Sequence, residues 1–282
     1  MISRQSVSVG LHRGRVELRQ MTRSPREYVG HLTNPAFFLL TASLQDGTIP
    51  GSTVDSSRMV VAGGIASMLL LVAVSWLPQQ LANDREDGTM LRLRGTPGGL
   101  SAYIVSKTLT VTVVATFCAL LLLVGGALFT GSGFPRTLAQ WSTLVWVLAL
   151  GLVALALLGA AVGALLPNPR QALALVMIPV LGLLFVSGVF FPVTSMPRWL
   201  QIVGEIFPLK WIAQGVRSSM LPDSALVAET AGSWQHWETA GVLVAWIVVG
   251  LLITPRLLLR ASRRESGSRL AARREAVGQR SY

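Results

Sequence analysis

Three histidines, one cysteine, two lysines and thirteen carboxylates are the residues of this 282-residue chain best suited to chemistry. Covalent catalysis needs a nucleophile, a base and an orienting group within reach of one another. His12, His31 and His236 have no serine or carboxylate at a spacing that would serve. Cys118 stands alone, which excludes a disulfide framework and a cysteine-rich metal cluster. The lysines, Lys107 and Lys210, follow Ser106 and Leu209, so a Gly-x-x-x-x-Gly-Lys-[Ser/Thr] phosphate loop is impossible here. No catalytic residue, metal ligand or cofactor of its own is expected. Any energy-consuming work must draw on another protein.

One segment does mix charges densely, ANDREDGTMLRLRGTPGGLSAYIVS at Ala82–Ser106. Asn83 or Asp84 would cap a short helix, with acids in its first turn and arginines later. Gly95, Pro97, Gly98 and Gly99 would end it. Such a segment is either a docking surface for a soluble partner or a plain connector.

The elements around it are membrane spans. Mean hydropathy is +0.56 with 13% charged residues, too apolar for a soluble domain. A bilayer core about 30 Å thick needs roughly 20 apolar residues of helix. Met59–Leu77, Thr108–Phe129, Trp141–Leu166 and Ala172–Phe191 carry no Asp, Glu, Lys or Arg, and Thr239–Leu259 carries only Arg256. A sixth span comes first: apolar Pro35–Leu44 extended by the more polar Glu27–Asn34, with a signal peptide as the competing reading. No span carries a buried acid or base on this reading, which excludes proton relays and voltage sensors.

The net charge of +11 suggests nucleic acid until it is divided by loop. With the N-terminus inside, nineteen basic residues fall on the cytoplasmic side and five outside. That asymmetry is an orientation signal and puts both termini in the cytoplasm; the expected location is a bacterial plasma membrane, crossed several times. No nucleic-acid partner is expected.

Two flanking elements complete the pattern. Over Val7–Arg26, Val7, Leu11, Leu18 and Met21 fall within about 80° on a helical wheel. Arg15, Arg19, Arg23 and Arg26 share the adjacent arc, which suits a helix in the headgroup layer, ended by Pro25; the alternative is an unstructured leader. Before the last span, Pro192–Glu238 holds short apolar stretches broken by Pro197, Pro208 and Pro222, as re-entrant or interfacial helices would. The expected fold is an all-α polytopic membrane protein of six transmembrane helices. It has an N-terminal amphipathic elbow helix, a cytoplasmic coupling helix and re-entrant outer helices before the last span. Its parts are an arm (1–26), a transmembrane domain (27–259) and a basic, solvated tail (260–282).

Local motifs carry a resemblance. RSPR at Arg23–Arg26, with Pro35 ten residues after Pro25, resembles the elbow-to-first-span junction of ABC-2 transporter permeases. DREDGTMLRLRGTP at Asp84–Pro97 is similar to their coupling loop. SGVFFPVTSMPRWLQ at Ser187–Gln201 and FPLKWIAQGVR at Phe207–Arg217 resemble their fifth-span exit and outer helices, notably in the daunorubicin-resistance branch. The resemblance implies a permease subunit of an ATP-driven exporter for an amphiphilic drug, antibiotic or lipid-like compound. It would pair with a second copy or a sister permease in the lipid. Two cytoplasmic ATPase subunits would bind the ATP and Mg.

Those subunits would dock on Asp84, Arg85, Glu86, Asp87, Gly88, Thr89, Leu91 and Arg92 of the loop and on Arg15, Arg19 and Arg23 of the arm. Substrate would pass Phe37, Phe38, Met68, Phe185, Phe190 and Phe191. His31 and Asn34, unusually polar for a first span, would form a polar entry if they face a cavity. Alternatives are a permease for polysaccharide or lipid-linked polymer, and a membrane sensor or immunity protein without transport.

Overall fold

Pro25 divides the N-terminal stretch into two helices in the computed structural model, which describes residues 4–96, 98–166 and 169–278. Side chains are described within those ranges except at 26, 28, 86, 90, 91, 94, 169–174 and from 259 onward. Helix α1 is Arg4–Arg23 and α2 is Pro25–Ser43. Ser24 between them is extended (φ −98°, ψ 104°), as a residue before proline prefers, and Pro25 opens α2 where its missing N–H costs nothing.

The expected second span is the axle of the bundle. Helix α3, Ser56–Leu70, passes into a π turn, Leu71–Trp76, and then α4, Leu77–Glu86. Every residue from Met59 to Leu70 is buried. Pro78 accounts for the π turn, because its ring leaves no N–H for the Val74 carbonyl and crowds it. On the far side, Gly159 lies so close to the Ala73 carbonyl that an added Cβ would overlap it.

A turn at Asp87–Gly88 leads to α5, Thr89–Arg94, and then α6, Gly99–Phe129. Gly88, at φ 69°, is the N-cap of α5. Asn83 and Asp84 do not cap it: they lie inside α4, since the apolar second span continues as helix and only the left-handed turn at glycine ends it. Pro97 lies outside the described residues. Helix α6 starts nine residues before its apolar run. Lys107 therefore stands within a spanning helix and is buried, which corrects the expectation of spans free of buried charge.

Helix α7, Leu138–Leu165, opens with a capping box: Gln140 N–H donates to Thr137 Oγ1 (3.2 Å), and the Thr137 N–H to Gln140 Oε1 (3.2 Å). Helix α8 is Pro169–Val186 and breaks at Gly188, φ 70°. The segment expected to lie outside then forms α9, Arg198–Ile206, and α10, Pro208–Met220, before α11, His236–Gly278. Helix α10 packs against α3, α7 and α11 and is buried along nearly its whole length. The backbone of α11 stays helical through Gly278, past the stretch apolar enough to span; residues 279–282 of the expected tail lie outside the described ones.

The chain is all-α among the described residues, apart from one bridge between Thr48 and Asp55. Ser56–Arg85, Gly99–Phe129, Leu138–Leu165 and His236–Leu258 are long and apolar enough to cross a membrane. Leu175–Val186 of α8 is a shorter apolar helix, and α2 is the more polar element. The outward faces of α7 and α11 expose Val145, Val153, Val248 and Leu252, as lipid-facing helices do.

Candidate functional site

At the N-terminal end of α6 the arm and the charged loop meet on one lysine. Lys107 Nζ lies 2.9 Å from Asp84 Oδ2 of α4 and 3.1 Å from Glu17 Oε1 of α1. Both carboxylates have a second partner from α6: the Tyr103 hydroxyl donates to Asp84 Oδ2 (2.8 Å), and the Thr110 hydroxyl to Glu17 Oε2 (3.1 Å). Arg13 sits 3.8 Å from Glu17 and over the Tyr103 ring at 5.4 Å. Tyr103, Lys107 and Thr110 recur at helical spacing, so one face of α6 presents all three.

A stripe of small residues makes the approach possible. Ser6, Gly10 and Gly14 of α1 are buried; a Cβ at Gly10 would meet the Ala102 carbonyl and Val105, and one at Gly14 would meet Leu109. The expected apolar stripe divides: Leu18 and Met21 pack against the core, while Leu11 stays exposed with Val9 and Val16. The helix is therefore docked, with a second apolar face left over. Small residues carry no weight in an apolar wheel, which is why the docking stripe escapes it.

The expected docking residues fall into two groups. Asp84 is half-buried in the cluster, and Arg85 Nη1 reaches the Leu166 carbonyl at 3.5 Å. Asp87 and Arg92 are exposed, the Arg92 guanidinium donating to the Asp87 carbonyl (3.2 Å), while Gly88 and Thr89 are half-buried. The side chains of Glu86 and Leu91 lie outside those described. Arg15, Arg19 and Arg23 are exposed along α1.

The expected path residues also separate. His31 and Asn34 line a cavity of about 290 Å³ together with Glu27, Ser75, Trp76, Gln79 and Met177. His31 and Trp76 meet edge to face, ring centres 5.4 Å apart. Pro35 cannot donate to the His31 carbonyl, and the Cys118 thiol of α6 donates to it instead at 3.6 Å. Further along the same face of α2 comes an aromatic cluster. Phe38 stacks on Phe190 (5.5 Å, 4°), and Phe37 and Phe185 meet Phe190 at 6.5 and 5.6 Å. Phe191 is exposed outside this cluster, and Met68 is buried in the core. Trp76, Ser75 and Gln79 went unnoticed in the sequence because they read as the polar end of an apolar run; the Pro78 that shapes the turn was the available signal.

The outer segment hides a second ionic cluster. Arg217 of α10 and Glu229, each 1% exposed, pair at 2.5 Å, and the Arg217 guanidinium also donates to the Gly188 carbonyl (2.9 Å). Lys210 is fully buried, its Nζ 3.8 Å from the centre of the Trp211 ring and without a hydrogen-bond partner among the described residues. Burial pushes this ammonium below its usual range, against the pull of Glu229 and Glu205. Trp211 donates to the Glu205 carbonyl (2.7 Å), and Trp246 of α11 to that of Ile206 (2.9 Å).

Among the described residues no group of three or more His, Cys, Asp or Glu is placed to hold a metal ion. The geometry offers a joint, a cavity and a sealed outer lock, arranged around one buried span.

Comparison with known proteins gives a consistent account. The family model described as ABC-2 type transporter matches residues 14–221. The chain is 27% identical over 173 residues to the probable multidrug ABC transporter permease YbhR of Escherichia coli K12, covering 61% of this chain and 46% of that protein. It is 32% identical over 142 residues to the putative transport permease ycf38 of Porphyra purpurea, covering 48% of this chain and 46% of that protein. With the ycf38 permease of Cyanophora paradoxa it shares 26% over 182 residues, 62% of each. The chain thus spans about half the length of the first two of these relatives.

Proposed function

The chain belongs to the ABC-2 type transporter family, and on that premise we propose that it is the permease subunit of an ATP-driven exporter of amphiphilic compounds. Two copies, or this chain and a sister permease, form the path across the plasma membrane. Separate cytoplasmic ATPase subunits bind ATP and Mg and dock on the exposed residues of α5 and α1. Six spans, with α2 and α8 as the first and fifth, put both chain ends on the ATPase side.

The observation that carries this reading is the Lys107 joint. A subunit that receives force needs its contact elements tied to a spanning helix, and one buried cation ties both candidate contact elements to α6. A displacement of α5 pulls Asp84 through α4, and a displacement of α1 pulls Glu17; either moves Lys107. The absent phosphate loop agrees with ATP chemistry performed elsewhere. Export of an amphiphile draws support from the apolar path residues and from the multidrug name of the Escherichia coli relative. In this reading substrate enters at the cavity on α2, and the cluster around Phe38 and Phe190 is the constriction beyond it.

Affinity purification of the tagged chain in mild detergent tests the proposal. A P-loop ATPase should come with it in stoichiometric amount, and amphiphiles should stimulate its ATP hydrolysis. A preparation from the native membrane that holds no ATPase overturns the reading.

A further inference from the structure

The cavity between α2, the π turn and α8 has a charge character that the surrounding chain does not share. The sequence carries 24 lysines and arginines against 13 acidic residues, yet the described residues lining the cavity include the carboxylate of Glu27 and neither lysine nor arginine. Gln79 gives one amide N–H to the Ser75 carbonyl (2.9 Å), and its side-chain oxygen can accept from a ligand. The Trp76 indole forms an aromatic wall, with the His31 ring set edge to face against it at 5.4 Å. Leu71, Val72 and Met177 supply apolar surface.

A carboxylate beside an aromatic wall is the chemistry that recognises an organic cation. An anion entering here would meet Glu27 with no lysine or arginine among the described lining residues to offset it, the imidazole of His31 being the one other ionisable group among them. The volume, about 290 Å³, lies at the small end of ligand pockets and suits a charged headgroup with the first part of its apolar chain.

We propose that this cavity receives the cationic end of an amphiphilic amine or quaternary ammonium compound, with Glu27 as counter-ion and Trp76 as aromatic wall. The proposal deepens the export reading by naming the charge class of the substrate, and it rests on that reading only for the statement that this is the entry side. The π turn is part of the site, because it carries Ser75 and Trp76 on a helix whose register it shifts by one residue.

The test is equilibrium binding of radiolabelled decyltrimethylammonium to the full chain in lipid nanodiscs, with empty nanodiscs subtracted and decyl sulfate as the anion of matched tail. The cation should bind saturably, and the anion should not. Glu27→Gln should weaken cation binding about tenfold, while Glu27→Asp retains most of it. Trp76→Leu should weaken it similarly, and Trp76→Phe less. Monodisperse elution of the two conservative variants, Glu27→Asp and Trp76→Phe, keeps the measurement valid if the other variants fold poorly.

Absence of saturable binding, equal saturable binding of the two ions, or cation binding untouched by both Glu27→Gln and Trp76→Leu would each overturn the site. Failure here is separable from failure of the export reading. A chain that co-purifies with its ATPase but does not bind the cation loses the site alone. A chain without an ATPase that binds the cation through Glu27 keeps the site and loses the export reading.

Discussion

The two ionic clusters lie at opposite ends of the helix made by α3, the π turn and α4, outer and inner on the proposed orientation, and are built on different terms. The outer pair, Arg217 and Glu229, is 1% exposed on both sides and joins residues only twelve apart in sequence, with the Gly188 carbonyl as third member. The inner cluster joins α1, α4 and α6, and its carboxylates remain about a fifth exposed, 21% at Glu17 and 18% at Asp84. A sealed pair locks because neither charge can find water if the contact breaks. A pair at the edge of solvent can part and re-form at modest cost. The difference separates a fixed outer end from a jointed inner one, which is the division of roles that the proposed ATP-driven permease needs.

Breaking the lock should cost most. Glu229→Gln leaves the Arg217 guanidinium buried without its counter-charge and should destabilise the protein by about 3–5 kcal/mol. Arg217→Met with Glu229→Leu should recover most of that loss, since a packed apolar pair replaces the ionic one. Thermal unfolding in detergent measures both. A Glu229→Gln loss no larger than that of Lys107→Met would erase the contrast between the ends.

Lys107→Met comes next, at about 1–3 kcal/mol for carboxylates that lose their shared partner but can turn to water. Its signature is local. Glu17 and Asp84 both approach one ammonium, so its removal leaves two like charges facing each other and the arm should lift. Amide hydrogen exchange should rise in Arg4–Arg23 and stay unchanged in Pro208–Met220. Adding Glu17→Gln should restore protection of the arm. Exchange that rises equally in both places would mean a general loosening and no joint.

Lys107 also marks where the sequence stops being legible. Charge-free runs reveal spans because a bilayer penalises charge, so α3, α7 and the apolar part of α6 can be read directly. The same rule hides a lysine that lies within a spanning helix beyond its apolar run. The mixed-charge loop stands out by composition, but its cap at Gly88 depends on backbone handedness that composition does not encode. Gly10 and Gly14 are silent for a related reason: they matter through how closely α6 approaches. Arg217 and Glu229 follow no motif, and only the folding of α10 back into the bundle brings them together. Of the expected path residues, Phe37, Phe38, Phe185 and Phe190 come together as a cluster, while Met68 and Phe191 stand apart from it. Trp76 could not be read from the sequence, because its orientation depends on the π turn.

A smaller effect sharpens the outer end. Lys210 has its proton affinity lowered by burial, offset in part by Glu229 and Glu205 and reinforced by Arg217. The unfolded chain therefore binds more protons than the native one between the lowered value and the ordinary lysine value of about 10.4. Stability should rise with pH across that window, the opposite of what a stabilising ion pair of lysine would give. Lys210→Met should flatten this dependence and cost little or nothing. A wild-type stability that falls with pH there would show that Lys210 has a working partner and belongs to the lock.

The smallest effect on stability carries the largest consequence for function. Arg92→Glu and Asp87→Arg change exposed side chains and should move stability by no more than about 0.5 kcal/mol. The same is expected of Arg15→Glu and Arg19→Glu on α1. If the inner end is a joint because an ATPase drives it, these surfaces are where the drive arrives, and reversing their charge should remove the ATPase from purified complexes. Hydrogen exchange around Lys107 should stay as in the unmodified chain, because the joint is intact and only its load is gone. That outcome separates contact from transmission: Lys107→Met would keep the ATPase bound but uncouple it, and Arg92→Glu would lose it with the joint unharmed. Should both variants lose the ATPase alike, the inner cluster is part of the docking surface itself, and the distinction between a joint and a contact disappears.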